Sequence, residues 1–176
     1  MTVNQLIDAS IEQWRTGGET GDARIASRAL AADAVLVSPL TDRFTFSGDG
    51  VIEELLTAVF SVFVGIRYRA EFRDGNRAIL IAAGHVGERE LQETQHLEFN
   101  EAGQIQRITL MMRPLPALTG FLRALGPRLA RLQNRGVVAG ILVPAGALLD
   151  TVASAGDSTF MPLADPERGS REGRQR

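Results

Sequence analysis

A chain of 176 residues with 44% hydrophobic content is long enough for one well-packed domain and short for two. A formal net charge of -2 excludes a general nucleic-acid binder, which needs a clustered basic surface to neutralise phosphates. With no cysteine there is no disulfide, thiolate nucleophile or thiolate metal site, which fits a reducing, cytoplasmic compartment.

The first residues, Met1-Thr2-Val3-Asn4-Gln5, have neither the basic nor the apolar region of a secretory signal. Val3, Leu6, Ile7, Ser10, Ile11 and Trp14 fall on one stripe at helical spacing, and Gly17-Gly18 is expected to end that first helix. Asp22 suits the N-cap of a short second helix reaching about Ala32, and Val35 to Val37 read as a strand. Asp49 is expected to cap a third helix with a broad apolar face from Val51 to Phe63.

From Ile66 the hydrophobic period becomes two, with Ile66, Tyr68, Ala70 and Phe72 alternating with charged residues. Asp74-Gly75-Asn76 reads as a hairpin turn. Strands follow at about 77–86, 89–99 and 104–113, joined around Gly87-Glu88 and Asn100-Glu101-Ala102-Gly103. Helices followed by a meander predict an α+β layout, with three helices on one face of a curved antiparallel sheet. Pro114-Leu115-Pro116 stops the last strand, and a fourth helix with Phe121, Leu122 and Leu125 inward is expected to bend at Gly126-Pro127. Its arginines, such as Arg123 and Arg128, read as a solvated face. Val137 to Leu149 is apolar but shorter than the roughly 20 residues of a membrane span, so it reads as a docked tail, a lid or plug, or a weak membrane-surface contact. The organisation expected is a main domain over 1–115, a helical extension packed on it over 116–150, and a mostly disordered tail over 151–176.

The stretch Asp33-Ala34-Val35-Leu36-Val37-Ser38-Pro39, then Phe44-Thr45-Phe46-Ser47-Gly48 and the helical run from Asp49, resembles the front half of a known fold. That fold is the α+β cone of the nuclear-transport-factor-2-like superfamily, which includes ketosteroid isomerases, limonene-epoxide hydrolases, scytalone dehydratases and SnoaL-type polyketide cyclases. The resemblance covers about Val3 to Arg113. It implies an apolar pocket for a small hydrophobic molecule, isomerase, cyclase or hydrolase chemistry without a cofactor, and a homodimer. Laid on the ketosteroid isomerase pattern, Trp14 stands at the tyrosine position, Ser38 at the base and Gln95 at the second donor. None matches, and a serine hydroxyl with no activating partner is too weak a base to take a proton beside a carbonyl. The residues therefore argue against steroid isomerisation by that mechanism.

If Gln95 faces the pocket, so do Leu91, Glu93 and Leu97, while Gln92, Thr94, His96 and Glu98 face away. A turn at Gly87-Glu88 then sets Glu93 opposite Ala82 and Gln95 opposite Leu80. A carboxylate among apolar neighbours is disfavoured in its charged form, so Glu93, assisted by Gln95, is the candidate acid or base. The plainer reading is a Glu93 wetted at the pocket mouth or paired with an arginine. Trp14 and Tyr68 either bracket a flat ligand or are core aromatics with satisfied polar tips. Ser38, Leu110 and Met112 are expected to line the pocket, and Asp42, beside Arg43, either lines its entrance or forms a local salt bridge. His85 and His96 are not spaced as metal ligands, and no metal site is expected. On the outer face Ile79, Ile81, Thr94, Thr109 and Met111 make an apolar patch rimmed by Arg107 and Arg113, the expected dimer surface. A binding or assembly module that has lost the reactive acids is the alternative function.

Overall fold

The computed structural model describes residues 1–41, 43–132 and 136–159. The chain divides into two compact units, with the break between Ala117 and Leu118.

The first unit opens with α1, Val3–Thr20. Thr2 caps it by accepting the Gln5 N–H, while the Gln5 side chain returns to the Thr2 N–H, a reciprocal capping box. Ile7, Ile11 and Trp14 form its buried stripe. The helix does not end at Gly17-Gly18, as the sequence suggested; it ends at Gly21, which adopts the left-handed conformation with φ 71°. The two glycines serve close packing instead. A Cβ on Gly17 would lie 2.4 Å from the Ala26 nitrogen of the next helix, and one on Gly18 would lie 2.9 Å from the Tyr68 hydroxyl.

Asp22 caps α2, Ala23–Ser27, by accepting the Arg24 N–H. This helix is shorter than expected, because the chain is already extended in β1, Leu30–Val37. A two-residue strand β2, Phe46–Ser47, pairs antiparallel with β1. The third helix, α3, is Asp49–Phe60; its N-cap is Gly48 at φ 94°, a conformation closed to most side chains, and Asp49 is the first helical residue, not the cap.

Strands β3 (Val64–Asp74), β4 (Arg77–Val86), β5 (Arg89–Phe99) and β6 (Ile105–Arg113) form the expected antiparallel meander. The six-stranded sheet runs β2-β1-β6-β5-β4-β3, and its β1–β6 pair is parallel, so the sheet is mixed. Bulges in β1, β3 and at the β5–β6 pairing interrupt the ladders, and such irregularities bend a sheet and strengthen its twist. Helices α1 and α2 pack together, α1 lies against β3, and α3 lies against α2 and β1.

The bulge in β3 overturns the simple alternation expected there. Tyr68 opposes Ala82, but an extra residue precedes Ala70, which opposes Ile81, so Glu71 rather than Phe72 shares the inner face with Tyr68. Glu71 and Arg73 accordingly reach α1, where they pair with Arg15 and Asp8, while Phe72 is 61% exposed.

Helix α4 (Leu115–Leu132), which begins just before the break, continues through Pro127, and α5 spans Gly136–Thr159 in the second unit. Buried Asp150 ties the two helices, accepting from Thr119 Oγ1 at 3.2 Å and pairing with Arg123 Nη1 at 3.3 Å. The boundary expected at residue 150 therefore falls inside one helix, and residues 151–159 are helical where a mostly disordered tail was expected. The rest of that tail lies outside the described residues. No helix among the described residues is long and apolar enough to cross a membrane.

Candidate functional site

The register places two rows of side chains on the inner face. Tyr68, Ala82, Glu93 and Met112 are partners across β3, β4, β5 and β6, and Glu71, Leu80, Gln95 and Leu110 form the adjacent row. Glu93 thus meets Ala82, and Gln95 meets Leu80, as the turn at Gly87-Glu88 required. Leu80, Leu91, Leu97 and Ile108 complete an apolar surround with almost no exposure. Leu110 and Met112 share this face and are half-buried.

Glu93 is 6% exposed and Gln95 5%. Trp14 on α1 donates its indole N–H to Gln95 Oε1 at 2.7 Å, and the Tyr68 hydroxyl donates to the same oxygen at 3.3 Å. Gln95 Nε2 in turn donates to Glu93 Oε2 at 2.7 Å. An indole nitrogen can only donate, so the Gln95 carbonyl must face Trp14 and its NH₂ must face Glu93. Both polar tips of the aromatics are thereby satisfied inside the protein.

Burial holds the Glu93 carboxyl up at about 7, against the opposing pull of the Gln95 hydrogen bond. No arginine pairs with Glu93 among the described residues, and the side chain is almost fully buried. The Tyr68 hydroxyl is pushed above its ordinary range, first by burial and then by the nearby Glu93 carboxylate, and it stays neutral. Arg15 stands 5.7 Å from the Tyr68 ring centroid and pairs with Glu71 at 3.3 Å, while its Nε is buried with no hydrogen-bond partner among the described residues.

The other expected residues are placed less centrally. Ser38 follows the last paired residue of β1, and its hydroxyl accepts the Leu40 N–H at 3.1 Å, a local turn bond. Asp42 lies outside the described residues, and neighbouring Arg43 is exposed with its N–H bonded to Thr41 Oγ1. His85 pairs across the strands with Glu90, and His96 with Ile79 on the outer face. Among the described residues no group of three His, Asp or Glu side chains is placed to hold a metal.

Sequence reasoning missed the Tyr68–Gln95 bond and the roles of Gly18 and Arg15. The i, i+4 spacing of Trp14 and Gly18 was the available signal, since it puts the glycine on the face that carries the indole. Without a side chain at Gly18, the Tyr68 ring can approach α1 closely enough for its hydroxyl to reach Gln95.

The sequence matches no family model and none of the curated proteins. Solved structures do resemble it. A steroid delta-isomerase from Pseudomonas aeruginosa superposes with a TM-score of 0.67 at 28% identity, over 73% of this chain and 95% of that one. An NTF-2 like protein of unknown function from Burkholderia xenovorans gives 0.56 at 16% identity, over 62% and 84% of the two chains. The epoxide hydrolase/cyclase-like enzyme SalBIII, which acts in pyran ring formation in the polyether salinomycin, gives 0.53 at 12% identity, over 62% and 92%. With α1 and α3 laid on one curved six-stranded sheet, and with these neighbours, the chain is built on the nuclear-transport-factor-2-like, SnoaL-like fold.

Proposed function

We propose that this chain is a cofactor-independent acid–base enzyme of the isomerase or cyclase type. It acts on a small, largely apolar molecule held against the inner face of the sheet. The observation that carries the reading is Glu93, a carboxyl buried among apolar side chains, with no cationic partner among the described residues, and poised near 7. An acid or base works best when its pKa lies near the operating pH. The carboxylate takes a proton beside a carbonyl, the C–H electron pair forms a C=C bond as the carbonyl π pair moves onto oxygen, and the acid so formed returns the proton to another carbon of the enolate as that pair moves back. The similarity to a steroid delta-isomerase and to a cyclase-like enzyme agrees with proton-transfer chemistry. The base, however, sits at Glu93 on β5, and Ser38 is engaged in a turn.

A thermal-shift screen of polyketide-like, terpenoid and steroid ketones against wild type and Glu93→Gln tests both halves. At least one ligand is expected to raise the melting temperature of both proteins. Exchange of its enolisable protons with deuterated water, followed by NMR, is expected to slow by about 10²-fold or more in the variant. Equal exchange rates in the two proteins would remove Glu93 from the chemistry.

A second reading, a binding or assembly module, draws on the outer face. Ile79, Ile81, Thr94 and Thr109 are only half-buried there, and Met111 is 51% exposed. A homodimer joined through this patch is expected, and Met111→Asp should shift it towards monomer in sedimentation velocity at micromolar concentration. A wild-type chain that sediments as a monomer would sink the dimer.

A further inference from the structure

The chain's only tryptophan and only tyrosine both donate to one oxygen, Gln95 Oε1, although α1 and β3 bring them in from different elements. A carbonyl oxygen offers two lone pairs, and these two donors use both. The amide therefore cannot turn over without stranding an indole N–H and a phenol O–H against another donor group. Its NH₂ is held towards β5, where Nε2 donates to Glu93 Oε2 at 2.7 Å. No hydrogen bond from the described residues reaches the other oxygen, Glu93 Oε1.

We infer that Trp14 and Tyr68 are positioning residues: by filling Gln95 Oε1 they fix the amide, which commits Glu93 Oε2 to accepting an N–H and leaves Oε1 as the oxygen that gains and loses the proton. A proton on Oε2 would turn that oxygen into a poor acceptor for the Gln95 N–H, whereas a proton on Oε1 leaves every bond of the relay intact. Glu93 is thereby made two-sided, with one oxygen anchored to the protein and one left for a ligand. The inference rests on Glu93 being the proton-transferring group.

The charged and titratable groups around the relay are few. From α1 come Arg15, paired with Glu71 of β3, and Glu19, which accepts the Tyr68 N–H at 3.1 Å. Tyr68 is the group from β3, while β4 and β6 present Ala82 and Met112 opposite Glu93. None of these donates a competing hydrogen bond to Glu93, so the direction of the Gln95 amide decides which form of the carboxyl is favoured. With N–H towards Glu93 the carboxylate is favoured; with C=O towards it, the acid is.

The test is a ligand-free titration of the full chain carrying ¹³C-carboxyl glutamate and ¹⁵N-tryptophan, so its outcome does not depend on whether a substrate is found. In wild type the single indole cross-peak is expected to move with the same midpoint as the Glu93 carboxyl. Trp14→Phe frees the amide to turn its carbonyl to the acid, and should raise the Glu93 midpoint by about one pH unit, tenfold in proton affinity. Tyr68→Phe should shift it less in the same direction, because its bond is the longer one. Phe99→Leu, a core truncation on the same strand, should leave the midpoint in place. An unmoved midpoint in Trp14→Phe overturns the inference while leaving Glu93 as an acid or base. Should that variant fail to fold, an indole signal that stays flat through the Glu93 titration of wild type overturns it equally.

Discussion

Glu93→Gln is expected to make the protein more stable at pH 8 by about 3 kcal/mol and to leave its stability near pH 4 almost unchanged. The carboxyl sits at about 7 in the folded protein against an ordinary 4.5. Below 4.5 both the folded and the unfolded chain hold the proton, so the group carries no penalty. As pH rises from there the unfolded chain releases its proton while the folded chain keeps it, and stability falls by about 1.4 kcal/mol per pH unit. Once pH passes about 7 the folded carboxyl ionises too, and the loss levels off. Glutamine has nearly the same shape, keeps a carbonyl for the Gln95 N–H and never ionises. Urea denaturation of both proteins between pH 4 and 8 reads the difference directly. Parallel curves would mean that Glu93 ionises in the folded chain as it does in the unfolded one.

That result would also bear on function. About 3 kcal/mol is a large part of the 5–15 kcal/mol by which domains are typically stable, and one substitution would recover it. Buried Asp150 offers the contrast, since Arg123 and Thr119 compensate it and it serves to join two helices. Among the described residues Glu93 has only a neutral amide, and a position that lowers stability without joining anything is where chemistry is expected to reside.

Much of this site can be read in the sequence, for a definite reason. The Gly87-Glu88 turn fixes one register, and period-two alternation then carries it along β4 and β5 to Glu93 and Gln95. What could not be read depends on contacts distant in sequence. The parallel pairing of β1 with β6 has no local signature, and the start of β1 at Leu30 is hidden because its alanines suit a helix equally well. The bulge in β3 is silent in a sequence that alternates without a break, although it exchanges Phe72 for Glu71 on the inner face. Gly17 and Gly18 look like a helix terminator because glycine has poor helix propensity, and only the positions of Ala26 and Tyr68 show why no side chain fits there.

Gly17→Ala turns that last point into the second large effect. Within an isolated helix the change should stabilise by about 1 kcal/mol, since alanine is the best helix former and glycine among the worst. Here the new Cβ would lie 2.4 Å from the Ala26 nitrogen, 2.6 Å from its Cβ and 2.7 Å from its Cα. Two of those atoms are backbone, and the Ala26 N–H is already bonded to the Asp22 carbonyl at 3.2 Å, so no side-chain rotation relieves the clash. The helices must move apart, and overpacking of this kind costs about 1–3 kcal/mol, occasionally more. The clash outweighs the propensity gain, and a net loss of about 1–2 kcal/mol is expected, seen as a melting temperature lower by roughly 3–8 °C in circular dichroism. Gly18→Ala should cost less, because the atom nearest to its Cβ is the hydroxyl at the end of the Tyr68 side chain. Since α1 also carries Trp14, a helix displaced at Gly17 stretches the 2.7 Å bond to Gln95, and the indole N–H resonance should move in the same variant. A Gly17→Ala protein as stable as wild type, with its indole signal unmoved, would show that α1 and α2 stand further apart than these distances allow.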